Sequence, residues 1–234
     1  MKIIGIIGGM GPFATIDFES KLLSKVHAEK DSDYPVMITI NNSNIPDRTK
    51  ALLSGGKSPV EAIKKSIHLL KNTGAEVLVL PCNTAHAFYD DFKSEFDAVD
   101  FVHIIKESVS YIKKHYPHMK KITVFATEGV MHTRLYHTLL EQEGFEVIDP
   151  SKEQQKIIMD AIYKIKANNM TEPKSILEEQ TKIMIEQGAE GIILGCTELP
   201  LVMKSDTFPF FDATDILAEA VIAKAMEKID FFSS

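Results

Sequence analysis

Gly74–Thr84 reads GAEVLVLPCNT, and Gly188–Glu198 reads GAEGIILGCTE. Each stretch opens Gly-Ala-Glu, continues as a short apolar run and reaches a cysteine at the same offset. The two cysteines, Cys82 and Cys196, are the only ones in the 234-residue chain. A short apolar run bounded by turn residues reads as a strand buried on both faces, the pattern of a parallel sheet covered by helices. Repetition of the pattern at long range points to two similar αβ lobes.

The rest of the chain fits that reading. Strand-like runs lie at Ile3–Gly8, Val36–Asn41, Val77–Pro81, Val99–Ile104, Ile122–Ala126, Phe145–Ile148, Gly191–Leu194 and Phe208–Phe211. Between them come stretches of helical period, among them Pro59–Asn72, Gln154–Ala167 and Ile176–Gln187. KIIGIIGGMG and KITVFATEGV correspond as the first strand of each half. The expected architecture is α/β: two lobes, each a parallel sheet flanked by helices, related by a pseudo-twofold axis, with the site in the cleft between them. The first lobe is expected to hold residues 1–102 with 212–234, and the second 103–211. Each lobe then delivers one cysteine at the carboxyl end of a strand, the edge where open α/β sheets bind ligands.

Composition narrows the function classes. A net charge of −7 with scattered basic residues argues against nucleic acid as a partner. No apolar run approaches the roughly 18 residues of a membrane span. MKIIGIIGGMGP runs into glycines with no small-residue cleavage site, so it does not read as a secretory signal. A cytoplasmic location is expected, where both thiols stay reduced.

A lone cysteine after an apolar strand is usually a small buried hydrophobe. Equivalent placement in two repeated lobes asks for more. Zinc would need about four ligands in a structural site, and Cys196 brings only Thr197 and Glu198. A helix N-terminus after each cysteine would favour thiolate. Two thiols across a cleft suit inversion at a carbon: one, as thiolate, removes a proton, and the other, as thiol, returns one to the opposite face.

Around them the sequence offers groups for an anionic substrate. The Gly8–Gly11 loop, with Met10 and Gly11, follows a strand and precedes a helix opened by Pro12, and such loops bind anions through backbone amides. Asn83, Thr84 and Thr197 are small donors. Arg48 is the guanidinium best placed for a second carboxylate. Thr127 is expected on the second lobe's loop facing the first. Glu198 is read as a cap of its helix rather than as a residue that orients a neighbour. His86, one turn past Cys82, is read as structural rather than as a tuner of the thiol.

PCNTAH, GCTE, the GGMGP opening and NNSNIPDRT at 41–49 together resemble the aspartate/glutamate racemase family, over essentially the whole chain. The resemblance implies a cofactor-independent amino-acid racemase needing neither PLP nor metal, commonly a homodimer, with Cys82 and Cys196 as the catalytic pair. It suggests that Cys196 handles the proton of the L-enantiomer and Cys82 that of the D-enantiomer. It implies an acidic amino acid as substrate, aspartate first and glutamate second. The family also carries a lysine shortly after an Ile-Tyr pair. IYKIKANN, one residue shorter than that pattern, supplies Lys164 and Lys166; counting back from the following Ala favours Lys166, and counting forward leaves Lys164 open. Val130 stands where the family often has Ser or Thr, so this loop is expected to contribute less.

Other readings have weaker support. Gly9–Ala14 matches a dinucleotide fingerprint, but the second strand ends in Asn41-Asn42-Ser43 with no acidic residue for a ribose. Relatives that racemise hydantoins or isomerise maleate keep the fold and change the substrate, and arylmalonate decarboxylases use one cysteine. A non-catalytic ligand-binding protein would retain the cleft without the proton exchange.

Overall fold

The computed structural model describes residues 1–205 and 207–227. Asp206 and residues 228–234, the end of the expected first lobe, lie outside the described residues. The chain builds two four-stranded parallel sheets of identical order. In the first, β1 (Ile4–Gly8), β2 (Met37–Asn41), β3 (Val77–Val79) and β4 (Asp100–Val102) lie in the order β2-β1-β3-β4. In the second, β5 (Lys121–Phe125), β6 (Glu146–Val147), β7 (Gly191–Leu194) and β8 (Phe210–Asp212) lie as β6-β5-β7-β8. Helices α1 (Pro12–Ser24), α2 (Arg48–Leu53), α3 (Val60–Asn72) and α4 (Tyr89–Phe92) belong to the first half of the chain. Then follow α5 (Ile104–His115), α6 (Glu128–His132), α7 (Leu135–Gln142), α8 (Lys152–Lys166), α9 (Thr171–Glu186) and α10 (Ala213–Met226).

The repeated Gly-Ala-Glu has a physical reason at each residue. Gly74 and Gly188 follow α3 and α9 with φ of +86° and +95°, the left-handed conformation that stops a helix without a Cβ penalty. Ala75 and Ala189 donate their N–H back to Leu70 O and Met184 O, closing the same helix-ending turn. Glu76 then accepts the Ile3 N–H, and Glu190 accepts the Lys121 N–H, at the start of the neighbouring strand. The motif thus ends a helix and sets the register of the strand that leads to each cysteine.

Side chains alternate along the strands between two packed layers. Ile4, Ile6, Val77 and Val79 from the first sheet share a central core with Ile122, Val124 and Ile193 from the second, filled by α1, α5 and α10. The outward faces close separately. Ile7, Leu78 and Leu80 pack on α3, while Phe125, Ile192 and Leu194 pack on α8 and α9.

All eight expected strands are present, mostly shorter than their apolar runs. β3 stops at Val79 because Pro81 has no N–H for the ladder. Its chain turns instead, with Cys82 N donating to Leu80 O at 2.8 Å. Phe145 is held by Leu140 O in the turn after α7, and His103 caps α5, so β6 and β4 are trimmed to two and three residues. β8 shifts to Phe210–Asp212, because the Phe208 N–H is taken by the Ser205 side chain.

Candidate active site

The two strand ends open on one narrow cavity between the lobes. Its walls include Cys82, Asn83 and Thr84 after β3, and Cys196, Thr197 and Glu198 after β7. Met10 comes from the loop after β1, Arg48 from α2, Thr127 from the loop after β5 and Lys166 from the end of α8. Gly11 lines an adjoining cavity that shares Arg48, Lys166 and Glu198 with the first. Both cysteines are free thiols, 4% and 5% exposed.

Neither cysteine is followed by an α-helix. Cys82 and Asn83 lead into a 3₁₀ segment, Thr84–Phe88, and Cys196 into the shorter Leu199–Leu201. The expected lowering of both thiols by helix N-termini is therefore corrected for Cys196. Burial pushes its thiol well above the usual range, the Glu198 carboxylate adds to this, and Lys166 opposes it.

Glu198 corrects a second expectation. Its side chain does not cap the 3₁₀ segment that it precedes. It is 2% exposed, and its Oε1 accepts the Gly11 N–H at 2.9 Å and pairs with Lys166 Nζ. Its Oε2 lies 3.0 Å from Cys196 Sγ and 3.4 Å from Thr197 Oγ1. The anion-binding amide expected in the glycine loop thus holds a carboxylate of the protein itself. Gly9 (φ +96°) makes this loop possible, since a Cβ there would sit 2.2 Å from the Asn42 carbonyl carbon.

The two lysines left open by the sequence separate clearly. Lys166 reaches the cavity, pairs with Glu198 and lies 3.5 Å from Met10 O. Lys164 points elsewhere and pairs with Glu172. Burial pulls the Lys166 ammonium down, but the neighbouring Glu198, Cys196 and Cys82 outweigh it and leave it above its ordinary value.

Arg48 is already bonded. Nη1 donates to Ile45 O and Pro46 O, Nη2 to Met10 O at 3.2 Å, and Nε is buried without a partner among the described residues. Asn83 accepts from the Tyr136 hydroxyl at 2.6 Å through Oδ1, while its buried Nδ2 has no partner among the described residues. Thr84 and Thr127 face each other. Gln155 Nε2 ties α8 to the β5 loop through Ala126 O. His86 Nδ1 donates to the Cys82 carbonyl at 2.9 Å and its ring abuts His103, so its contact is with the backbone of the cysteine and not with its sulfur.

Sequence reasoning did not assign Asp47, Thr49, Met159 or Tyr163 to the cavity wall. Met159, Tyr163 and Lys166 are spaced by four and three along α8, one face of a helix. Counting back from Lys166 by that period would have found the first two.

A family model described as Asp/Glu/Hydantoin racemase matches residues 7–221. The chain belongs to the Asp/Glu/hydantoin racemase family. It is 31% identical over 228 residues to the broad specificity amino-acid racemase RacX of Bacillus subtilis (strain 168), covering 94% of this chain and 97% of that protein. The solved structure of Picrophilus torridus aspartate racemase aligns with a TM-score of 0.87 at 31% identity, covering 97% of this chain and 96% of that one. Glutamate racemase from Francisella tularensis in complex with D-glutamate aligns with a TM-score of 0.71 at 16% identity, covering 95% and 80%, and shares the fold. No helix among the described residues is long and apolar enough to cross a membrane.

Proposed function

We infer that the protein racemises an acidic amino acid, aspartate first and glutamate second, without PLP or metal. The observation that carries this is the meeting of Cys82 and Cys196 on one cavity whose walls also hold a cation from each lobe, Arg48 and Lys166. In the reaction, one sulfur as thiolate takes the α-proton and becomes a thiol. The opposite thiol gives its proton to the other face of the carbon and becomes the thiolate. One C–H bond breaks, one forms, and nothing is oxidised or reduced. The α-carbon is a very weak acid, so charge spreading into the carboxylate must be met by preorganised donors. Lys166 and the unpartnered Asn83 Nδ2 are suited to this, with Thr84 and Thr197 beside them. Burial of the cavity excludes water and strengthens each of these contacts. A homodimer in the cytoplasm belongs to the same reading.

A broader amino-acid substrate range is the second reading. Three of the five Arg48 N–H groups already donate to backbone carbonyls, which leaves less of the guanidinium for a distal carboxylate. RacX carries that description of its specificity.

The deciding experiment is proton NMR in D₂O with L-aspartate, L-glutamate and a monocarboxylic amino acid, with EDTA and no added PLP. Loss of the α-proton signal together with the D-enantiomer on a chiral assay is expected for aspartate. Absence of exchange with all three sinks the reading.

A further inference from the structure

Glu198 deepens the proposed reaction and rests on it. Its four contacts fix a protonation state. A carboxylate paired with the Lys166 ammonium and accepting the Gly11 N–H is ionised. An ionised carboxylate only accepts hydrogen bonds. The hydrogen in the 3.0 Å contact between Cys196 Sγ and Glu198 Oε2 therefore sits on sulfur. A thiolate in that place would set two negative charges side by side out of water. Among the described residues, no carboxylate bonds the Cys82 sulfur in this way, and His86 engages only its carbonyl.

We propose that Glu198 is the positioning residue of Cys196, holding that sulfur protonated and aimed as the proton donor of the resting enzyme, so that Cys82 is the sulfur free to act as base. When Cys196 has given its proton to the substrate carbon, its thiolate stands against Glu198, and that repulsion favours recovery of a proton. The groups that face this pair are Lys166 and Tyr163 from α8, Tyr136 from α7, the Gly11 amide from the β1 loop, Thr197 on its own loop, and Cys82, Asp47 and Arg48 across the cavity. Lys166 is the one ammonium bonded to the carboxylate among the described residues, so it limits how far Glu198 raises the thiol.

The test is alkylation of the intact protein by iodoacetamide, with Cys82 and Cys196 followed separately by peptide mass spectrometry as pH is raised. Thiolate, not thiol, reacts. Glu198→Gln keeps the shape and removes the charge. It is expected to lower the Cys196 midpoint by about one pH unit or more, the usual effect of a single neighbouring charge, and to leave the Cys82 midpoint in place. Glu198→Asp keeps the charge and is expected to retain a high Cys196 midpoint. Lys166→Met, which removes the counter-ion and keeps the carboxylate, should raise it. A Cys196 midpoint unmoved by Glu198→Gln, an equal shift at both cysteines, or a fall in Lys166→Met would overturn the assignment. Alkylation needs no turnover, so it is independent of the α-proton exchange that tests the racemase reading.

Discussion

Thr84 Oγ1 and Thr127 Oγ1 lie 2.9 Å apart, one on the loop after β3 and the other at the cap of α6, so a single hydroxyl pair bridges the lobes beside the cavity. Thr127 also accepts the Val130 N–H at 3.3 Å, and Gly129 packs so closely that a Cβ there would lie 2.9 Å from Thr84 Cγ2. Thr127→Val keeps the shape and removes both bonds. Loss of a helix cap of this kind costs about 1 kcal/mol. Guanidinium unfolding should show that loss in Thr127→Val and its recovery in Thr127→Ser. Equal stability of Val and wild type would mean that the hydroxyl pair contributes nothing.

Cys82→Ser and Cys196→Ser should each abolish racemisation. General acid–base transfer contributes about 10²–10⁴-fold, and a serine hydroxyl is too weak an acid to hold either end of the relay. The chiral assay should find turnover reduced by about that factor or more in each variant. Near-wild-type turnover in either one is incompatible with two thiols sharing the work.

Arg48 has two jobs to separate. Arg48→Ala strips donors from Met10 O, Ile45 O and Pro46 O, and unpaired carbonyls of this kind cost about 1–3 kcal/mol when buried. Thermal unfolding should register that loss. If Arg48 also receives a distal carboxylate, KM should rise for aspartate and much less for a monocarboxylic amino acid. Parallel rises in both would assign Arg48 to holding the loop alone.

His86 makes stability depend on pH in a defined direction. Burial, then the neighbouring His103, lowers its pKa from 6.5 to about 3, against a smaller raising effect of its bond to Cys82 O. His103 is lowered to about 4, chiefly by burial and then by Lys106. Below pH 6.5 the unfolded chain takes up protons that the folded chain refuses. The stability associated with both neutral rings is therefore complete above about pH 6.5 and falls as pH drops toward the folded values, by about 1.4 kcal/mol per pH unit for each fully linked ring. Unfolding midpoints at pH 7 and pH 5 should differ less in His86→Leu than in wild type. An undiminished difference would place the acid sensitivity elsewhere.

Much of this was legible in one chain because parallel strands buried on both faces leave uninterrupted apolar runs, and because two halves repeat them. The offset of Cys82 and Cys196 from Gly74 and Gly188 carried the division into two similar lobes, while the strand order came only with the structure. Strand ends were less legible, since His103 and Phe145 owe their roles to bonds with neighbours rather than to hydropathy. Glu198 was misread for a related reason. A carboxylate four residues past a strand end looks like a cap until the chain brings Gly11 and Lys166 to it. Arg48 lines the cavity, but its charge alone could not reveal that three backbone carbonyls already hold its Nη groups.

The Gly11–Glu198 bond joins residues 187 apart in the chain, and the Lys166–Met10 contact joins residues 156 apart. Closing loops of that length carries an entropy penalty that shorter-range pairings such as β1 with β2 avoid. The pocket is therefore assembled from contacts between distant parts of the chain. In refolding from denaturant, helical circular dichroism should return first and catalytic turnover afterwards, so that regain of activity times the docking of one half of the chain on the other.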